Sequence, residues 1–237
     1  MSNDYFQFKQ FRVGQERCAM KVTTDACIQG AWTPVLENVK HVLDIGTGTG
    51  LLALMLAQRN ANIIIDAIEF DTDAAQQALE NITTSLWKNR INIAEGDARG
   101  YSFTRKYNII ISNPPFFNDS LLSNDPSNDM AKHTLHLSYT DLLQVITSNL
   151  ADDGYSSILL PLAEYQLWKP LALEAGFFEI DKLLISHTAH APVKRVVSIF
   201  SKKEPSFVDE EKLCIKDDGQ NYTRDFIDLL SPFYLNL

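Results

Sequence analysis

The chain has 237 residues, of which 45% are hydrophobic and 22% charged, an ordinary balance for a soluble globular protein with a sizeable core. The formal net charge of -9 counts against simple nucleic-acid coating through a basic surface, although a local basic patch would still supply phosphate contacts. No apolar run is long enough to span a bilayer, MSNDYFQFKQ lacks a secretory layout, and Cys18, Cys27 and Cys214 form neither a disulfide framework nor a zinc pattern, so a reducing cytoplasm is expected.

In chain order, FQFKQFRV and ERCAMKV alternate about Gly14-Gln15 and predict a hairpin within Phe6–Val22. Thr24 or Asp25 is the expected N-cap of a short helix that runs toward Trp32 and stops before Pro34. From Lys40 the rhythm becomes strand, turn, helix. HVLDI precedes GTGTG and helical LLALMLAQR; IIIDAIE precedes helical DAAQQALENITTSLWK; INIAEGD and YNIIIS follow, the latter ending on NPPFF. SYTDLLQVITSNL predicts a helix, YSSILLPL a fifth strand, EYQLWKPLALEAG a helix, and FFEIDKLLISH and VKRVVSIFSKK two consecutive strands. Continuous apolar strands alternating with helices predict an α/β fold, with a seven-stranded, mainly parallel sheet, helices on both faces and a C-terminal antiparallel hairpin. The expected organisation is one domain over 1–237: an N-terminal hairpin and short helix (1–39), a core (40–203) and a C-terminal extension (204–237).

Ligands of open α/β sheets bind beyond the carboxyl ends of the strands. Those ends carry Asp44-Ile45-Gly46-Thr47-Gly48-Thr49-Gly50, Glu69-Phe70-Asp71, Asp97-Ala98 and Asn113-Pro114-Pro115-Phe116. Gly46, Gly48 and Gly50 allow a tight turn and close backbone approach at a helix N-terminus that favours an anionic group. A dinucleotide fingerprint would place its third glycine where Leu51 stands, which disfavours a nicotinamide enzyme. The anion can instead be an amino acid carboxylate, with Asp44 near its ammonium or a bound water. Glu69 can accept both hydroxyls of a ribose, and Asp97 can accept from the exocyclic amine of an adenine. Carboxylate, ammonium, ribose and adenine together describe S-adenosylmethionine. D-I-G-T-G-T-G, I-E-F-D and G-D-A resemble the cofactor motifs of the seven-stranded, Rossmann-like class I methyltransferases, which adds Thr47, Phe70, Asp71 and Ala98 to the expected cofactor site.

Asn113-Pro114-Pro115-Phe116 resembles the N-P-P-[FY] signature of amino- and amide-nitrogen methyltransferases. The Asn113 side-chain carbonyl and the Pro114 main-chain carbonyl can each accept one N–H of a planar amine and aim its lone pair at a methyl donor. Pro114 and Pro115 stiffen the turn, and Phe116 offers a stacking face for a flipped-out base. No strong general base is needed, because the proton can leave after transfer.

Over essentially the whole chain, the sequence is similar to the bacterial enzymes that methylate N6 of adenine 37 in tRNA1(Val). F-x-F-K-Q-F at Phe6–Phe11, K-V-x-T-D-A at Lys21–Ala26, G-A-W at Gly30–Trp32, A-K-H near His133, H-A-P-V-K-R-V at His190–Val196 and the terminal Y-L-N-L carry the resemblance beside the cofactor motifs. It implies S-adenosylmethionine as cofactor and the anticodon loop of a tRNA as partner, with no membrane, metal or obligate protein partner. It also implies Thr24 and Asp25 over the methionine end of the cofactor, and Lys194 and Arg195 against tRNA phosphate. Lys9, Arg12, Arg17 and Lys21 outnumber the acids before Thr24 and offer a second basic patch; of these, Arg12 and Lys21 are taken as RNA-binding candidates. A solvated strand end and a soluble hairpin would show the same charges.

His133 and His136 lack a third partner, so no metal is assigned, and the polar segment 118–137 is expected to order over substrate. Protein glutamine-N5 methyltransferases of release factors share the core but carry an N-terminal helical domain that 1–39 cannot supply. Ribosomal RNA guanine-N2 methyltransferases share N-P-P-F but carry a duplicated domain. A binding protein that had lost transfer would not need Asn113-Pro114-Pro115-Phe116 intact.

Overall fold

The computed structural model describes residues 4–115 and 137–237. A two-stranded antiparallel hairpin, β1 (Tyr5–Gln7) and β2 (Arg12–Gly14), leads into helix α1 (Thr24–Trp32). Then follow β3 (His41–Ile45), α2 (Leu51–Arg59), β4 (Ile64–Glu69), α3 (Thr72–Thr83), β5 (Ile91–Glu95) and β6 (Tyr107–Ser112). After the segment outside the described residues come α4 (Tyr139–Asn149), β7 (Leu150–Pro161), α5 (Leu162–Glu174), β8 (Phe178–Ser186), β9 (Arg195–Ser201), β10 (Asp209–Cys214) and α6 (Arg224–Leu230). Among the described residues no helix is long and apolar enough to cross a membrane.

The main sheet runs β10-β8-β9-β7-β6-β3-β4-β5. Its pairs are parallel except for β9, which lies antiparallel between β7 and β8. The α/β architecture and antiparallel hairpin are therefore as expected, but the sheet has eight strands rather than seven. The added strand, DEEKLC, gives no apolar signal because four of its residues are exposed at the sheet edge. It is held in register by backbone pairing with β8 and by Lys182 Nζ at 2.8 Å from the Glu210 carboxylate. Charged edge strands of this kind also resist pairing with other chains.

The first hairpin differs from the expected one. Its turn is Phe8–Phe11, not Gly14-Gln15, and no strand forms over ERCAMKV. The reason is burial: the Phe8 and Phe11 rings stack with centroids 4.4 Å apart, both are buried, and Phe8 bridges Tyr234 near the C-terminus. The helix cap is neither Thr24 nor Asp25 but Thr23, which accepts the Ala26 N–H while Thr24 begins α1.

Alternation along the strands sends Val42, Ile109, Ile111 and Leu159 to one core with α1, α2, α6 and the hairpin phenylalanines. Leu43, Ile45, Ile110, Ile158 and Leu160 go to a second core with α4 and α5. Side chains on both faces of the sheet are thereby buried, leaving the ends of β3, β4, β5 and β6 side by side for chemistry.

Candidate active site

Asp44 lies near the end of β3 and is fully buried. Its Oδ2 accepts the Thr47 hydroxyl at 2.6 Å, whereas Oδ1 is buried without a hydrogen-bond partner. Burial pushes its carboxyl up to about 7; the Thr47 hydroxyl and the Ala53 amide oppose the rise, and the Glu69 carboxylate adds to it. Gly46 and Gly48 adopt left-handed backbone (φ 68 and 54), and a Cβ on either would meet nothing within 4 Å. Backbone thus faces open space at the start of α2, whose N-cap, Gly50, provides no side-chain cap.

Glu69 ends β4 and is tied to the glycine loop. Its Oε2 accepts the Gly48 N–H at 2.8 Å and its Oε1 the Asp71 N–H at 3.0 Å. Each oxygen keeps a lone pair for a further donor. Phe70 is 51% exposed and offers a free ring face, while the Asp71 carboxylate caps α3 through the Ala74 N–H at 2.8 Å. Asp97 follows β5, and its carboxylate is held by Arg99 through Nε at 3.0 and 2.9 Å and Nη2 at 2.6 Å. Those bonds hold its carboxyl below the usual carboxylate range. Ala98 packs against the second core.

Ser112, the last residue of β6, donates to the Ile45 carbonyl at 2.8 Å, which fastens Asn113-Pro114-Pro115 beside the glycine loop. Among the described residues Asn113 Oδ1 is buried with no hydrogen-bond donor, while Nδ2 lies 3.7 Å from the Met20 sulfur. Pro114 is buried and Pro115 exposed. Phe116, His133 and His136 lie outside the described residues, as does most of the 118–137 segment. Among the described residues no group of three His, Cys, Asp or Glu could hold a metal.

The segment after the hairpin crosses this cleft. Cys18 is buried, and burial followed by the Glu69 and Asp71 carboxylates pushes its thiol up to about 11, so it is not a ready nucleophile. Met20 then reaches Asn113, and the Val22 N–H is held by Gln15 Oε1 at 2.9 Å. Asp25 lies with its carboxylate 3.3 Å from Arg195 Nε. Burial raises the Asp25 carboxyl, against the pull of Arg195 and Lys194. Lys194 is exposed and Lys21 also, whereas Arg12 stacks its guanidinium 3.5 Å above the Tyr5 ring, in a groove of about 420 Å³ shared with Arg17 and Glu80.

Residues 32–152 match the family described as Methyltransferase small domain. The chain is 42% identical to the tRNA1(Val) (adenine(37)-N6)-methyltransferase of Bacteroides fragilis, covering 100% of both chains. It is 40% identical to the enzyme of the same name from Tolumonas auensis, over 100% of this chain and 99% of that one. The chain belongs to this family. Membership of the tRNA1(Val) (adenine(37)-N6)-methyltransferases agrees with the fold, which resembles a predicted O-methyltransferase from Agrobacterium tumefaciens (TM-score 0.70, 14% identity, 90% of this chain and 100% of that chain). It also resembles TrmN from Thermus thermophilus (TM-score 0.55, 22% identity, 76% and 48% covered).

The cofactor of the tRNA1(Val) (adenine(37)-N6)-methyltransferase family and its methyltransferase domain is S-adenosylmethionine. The residues present fit it: an unpartnered, buried carboxylate oxygen on Asp44 suits an ammonium, and an uncapped helix start beside open glycine backbone suits a carboxylate. The structure brings Asp44, Gly46, Thr47, Gly48, Gly50, Glu69 and Asn113 to one side of the sheet, at and just beyond the ends of β3, β4 and β6. It gives Asp97 to Arg99, Asp71 to a helix cap and Arg195 to Asp25. Met20 and Arg99, which contact Asn113 and Asp97, were not singled out from the sequence. Arg99 had a local signal, because an arginine two residues after an acid can fold back on it in a turn; Met20 was hidden inside a stretch read as a strand.

Proposed function

We propose that this chain transfers the methyl group of S-adenosylmethionine to N6 of adenine 37 in the anticodon loop of tRNA1(Val). The observation that carries the reading is Asn113 Oδ1, a buried acceptor that no described residue pairs, just after β6 and beside the glycine loop. An unpaired acceptor held out of water favours a donor that arrives with the substrate. Asn113 takes one N6–H, the Pro114 carbonyl takes the other, and the nitrogen lone pair is directed at the electrophilic methyl that S-adenosylmethionine supplies when bound. Asp44, Gly46, Gly48 and Glu69 hold the donor, while Thr24, Phe70, Asp97 and Ala98 border it. The proton displaced from N6 leaves to water after transfer, so no histidine or carboxylate need act as a base.

Lys194, Lys21 and Arg12 are the phosphate contacts of this reading, and Phe116 its stacking face. Residues 1–39 and 204–237 serve the 40–203 core as one unit, supported by Lys9 N–H bonding the Phe233 carbonyl at 2.8 Å. Free Cys18, Cys27 and Cys214 favour the cytoplasm, and the reaction needs no protein partner. The test is transfer of labelled methyl to tRNA that lacks the modification, followed by nucleoside analysis. Label in N6-methyladenosine is expected; label in a release-factor glutamine, insensitive to ribonuclease, would replace the reading.

A further inference from the structure

Gln29 lies on α1 between the T-D-A and G-A-W stretches, was not itself singled out for chemistry, and is fully buried. Its Nε2 donates to the Ser112 carbonyl at 3.0 Å and to the Ser157 carbonyl at 3.1 Å, bridging adjacent strands β6 and β7. Its Oε1 is buried with no partner. Two donors are thus committed to backbone while the acceptor goes unsatisfied, an arrangement that an apolar side chain of equal length would avoid.

The Ser112 carbonyl is the acceptor that matters. It shares one rigid peptide plane with the Asn113 nitrogen, so the direction of that carbonyl sets how Asn113 leaves β6. Asn113 precedes Pro114, which restricts its own backbone to extended conformations. Ser112 is also fixed through its hydroxyl to the Ile45 carbonyl, immediately before Gly46. With the peptide plane held by Gln29 and the next residue restricted by proline, Asn113 Oδ1 retains little freedom beyond its side-chain torsions. The same Gln29 amide connects α1, whose first turn carries Thr24 and Asp25, to the strand end that carries the reacting group.

We propose that Gln29 is a positioning residue for methyl transfer, orienting Asn113 through the Ser112 carbonyl. This rests on the assignment of Asn113 as the acceptor of the substrate amine. Gln29→Met keeps the length and removes both donors, and Gln29→Glu keeps the shape should the methionine variant not fold. On the full chain, kcat at saturating tRNA and the S-adenosylmethionine Kd by calorimetry are measured for Gln29→Met, Asn113→Ala and the double variant. Gln29→Met is expected to lower kcat about tenfold with Kd changed less than about twofold. The double variant should be no slower than Asn113→Ala alone, within about twofold, because both changes act on one group.

Thr33→Val supplies the control. It removes the 2.7 Å hydroxyl contact to Ser157 in the same buried seam without touching Ser112, and it should keep kcat. Multiplicative losses in the double variant, an unchanged kcat for Gln29→Met, or an equal loss in Thr33→Val would each overturn the positioning role. A wild-type rate for Asn113→Ala would instead remove the assignment on which it stands.

Discussion

Arg195 at the start of β9 and Asp25 in the first turn of α1 form an ion pair at 3.3 Å, their side chains 28% and 29% exposed. The contact joins two regions that the family resemblance linked to different partners, the cofactor for Asp25 and tRNA phosphate for Arg195. A guanidinium already facing a carboxylate presents less net charge to a phosphate than its exposed neighbour Lys194 does.

The expected consequence lies in the salt dependence of tRNA binding. Lys194→Ala should flatten the slope of log K against log salt by about 1, as loss of one phosphate contact does. Arg195→Ala should flatten it less, and Asp25→Asn should strengthen binding by freeing Arg195. Filter binding across a salt series measures all three. Equal slopes for the two basic variants would mean that the Asp25–Arg195 pair opens on RNA.

The placement of the motifs after β3, β4, β5 and β6 was legible because they are short runs at strand ends, where apolar residues stop and glycine, acid or proline begins. What stayed hidden depends on contacts across sequence. Nothing local tells that Asp25 faces Arg195, that Met20 reaches Asn113, or that Gln29 bridges Ser112 and Ser157. The eighth strand was hidden for a different reason: Asp209–Cys214 lies at an edge, buries little, and so lacks the apolar run by which its neighbours announce themselves. The hairpin register was misplaced because Gly14-Gln15 carries the turn signal, while burial of Phe8 and Phe11 places the turn on them.

Asp44 is expected to make cofactor binding depend on pH. Its folded carboxyl lies at about 7, above an ordinary value of 3.8, so the folded protein holds a proton that the unfolded chain has lost between those values. The contribution of this one group to stability is fully present below about 4 and is lost as pH rises through about 7. An ammonium beside Asp44 would favour the ionised form, so binding of S-adenosylmethionine is expected to release a proton below pH 7. Affinity is expected to rise from pH 5 to pH 7 and then level, and Asp44→Asn should bind more weakly with a flat profile. Calorimetry in buffers of different ionisation enthalpy reads the proton directly; no release at pH 6 would separate Asp44 from the ammonium.

Asp97 and Arg99 allow a second separation of roles. Arg99 holds the Asp97 carboxylate through three short contacts, yet a carboxylate has enough lone pairs to accept a further amine. Asp97→Ala is expected to weaken S-adenosylmethionine about tenfold, the loss of a hydrogen bond to a charged group. Arg99→Ala should weaken it less and let the Asp97 carboxyl return toward its ordinary range. If Arg99→Ala proved the more damaging, Arg99 would be the cofactor contact and Asp97 its support.

Gly48 and Gly50 share left-handed backbone but face different surroundings, which predicts different losses. An alanine at either costs about 1–2 kcal/mol of backbone strain. At Gly50 the new Cβ would sit 3.6 Å from Ala78 Cβ and Ile82 Cδ1, ordinary contact inside the packing of α3. At Gly48 it would enter space that the protein leaves open beside Glu69, where the cofactor is expected. Both variants should therefore melt a few degrees lower, by about 2–4 °C per kcal/mol for a chain of this size. Gly48→Ala alone should raise the S-adenosylmethionine Kd about tenfold or more, because the methyl group displaces ligand rather than protein. Thermal melts paired with cofactor titration separate the two effects. Equal affinities in the two variants would show that the space over Gly48 is not where the cofactor lies.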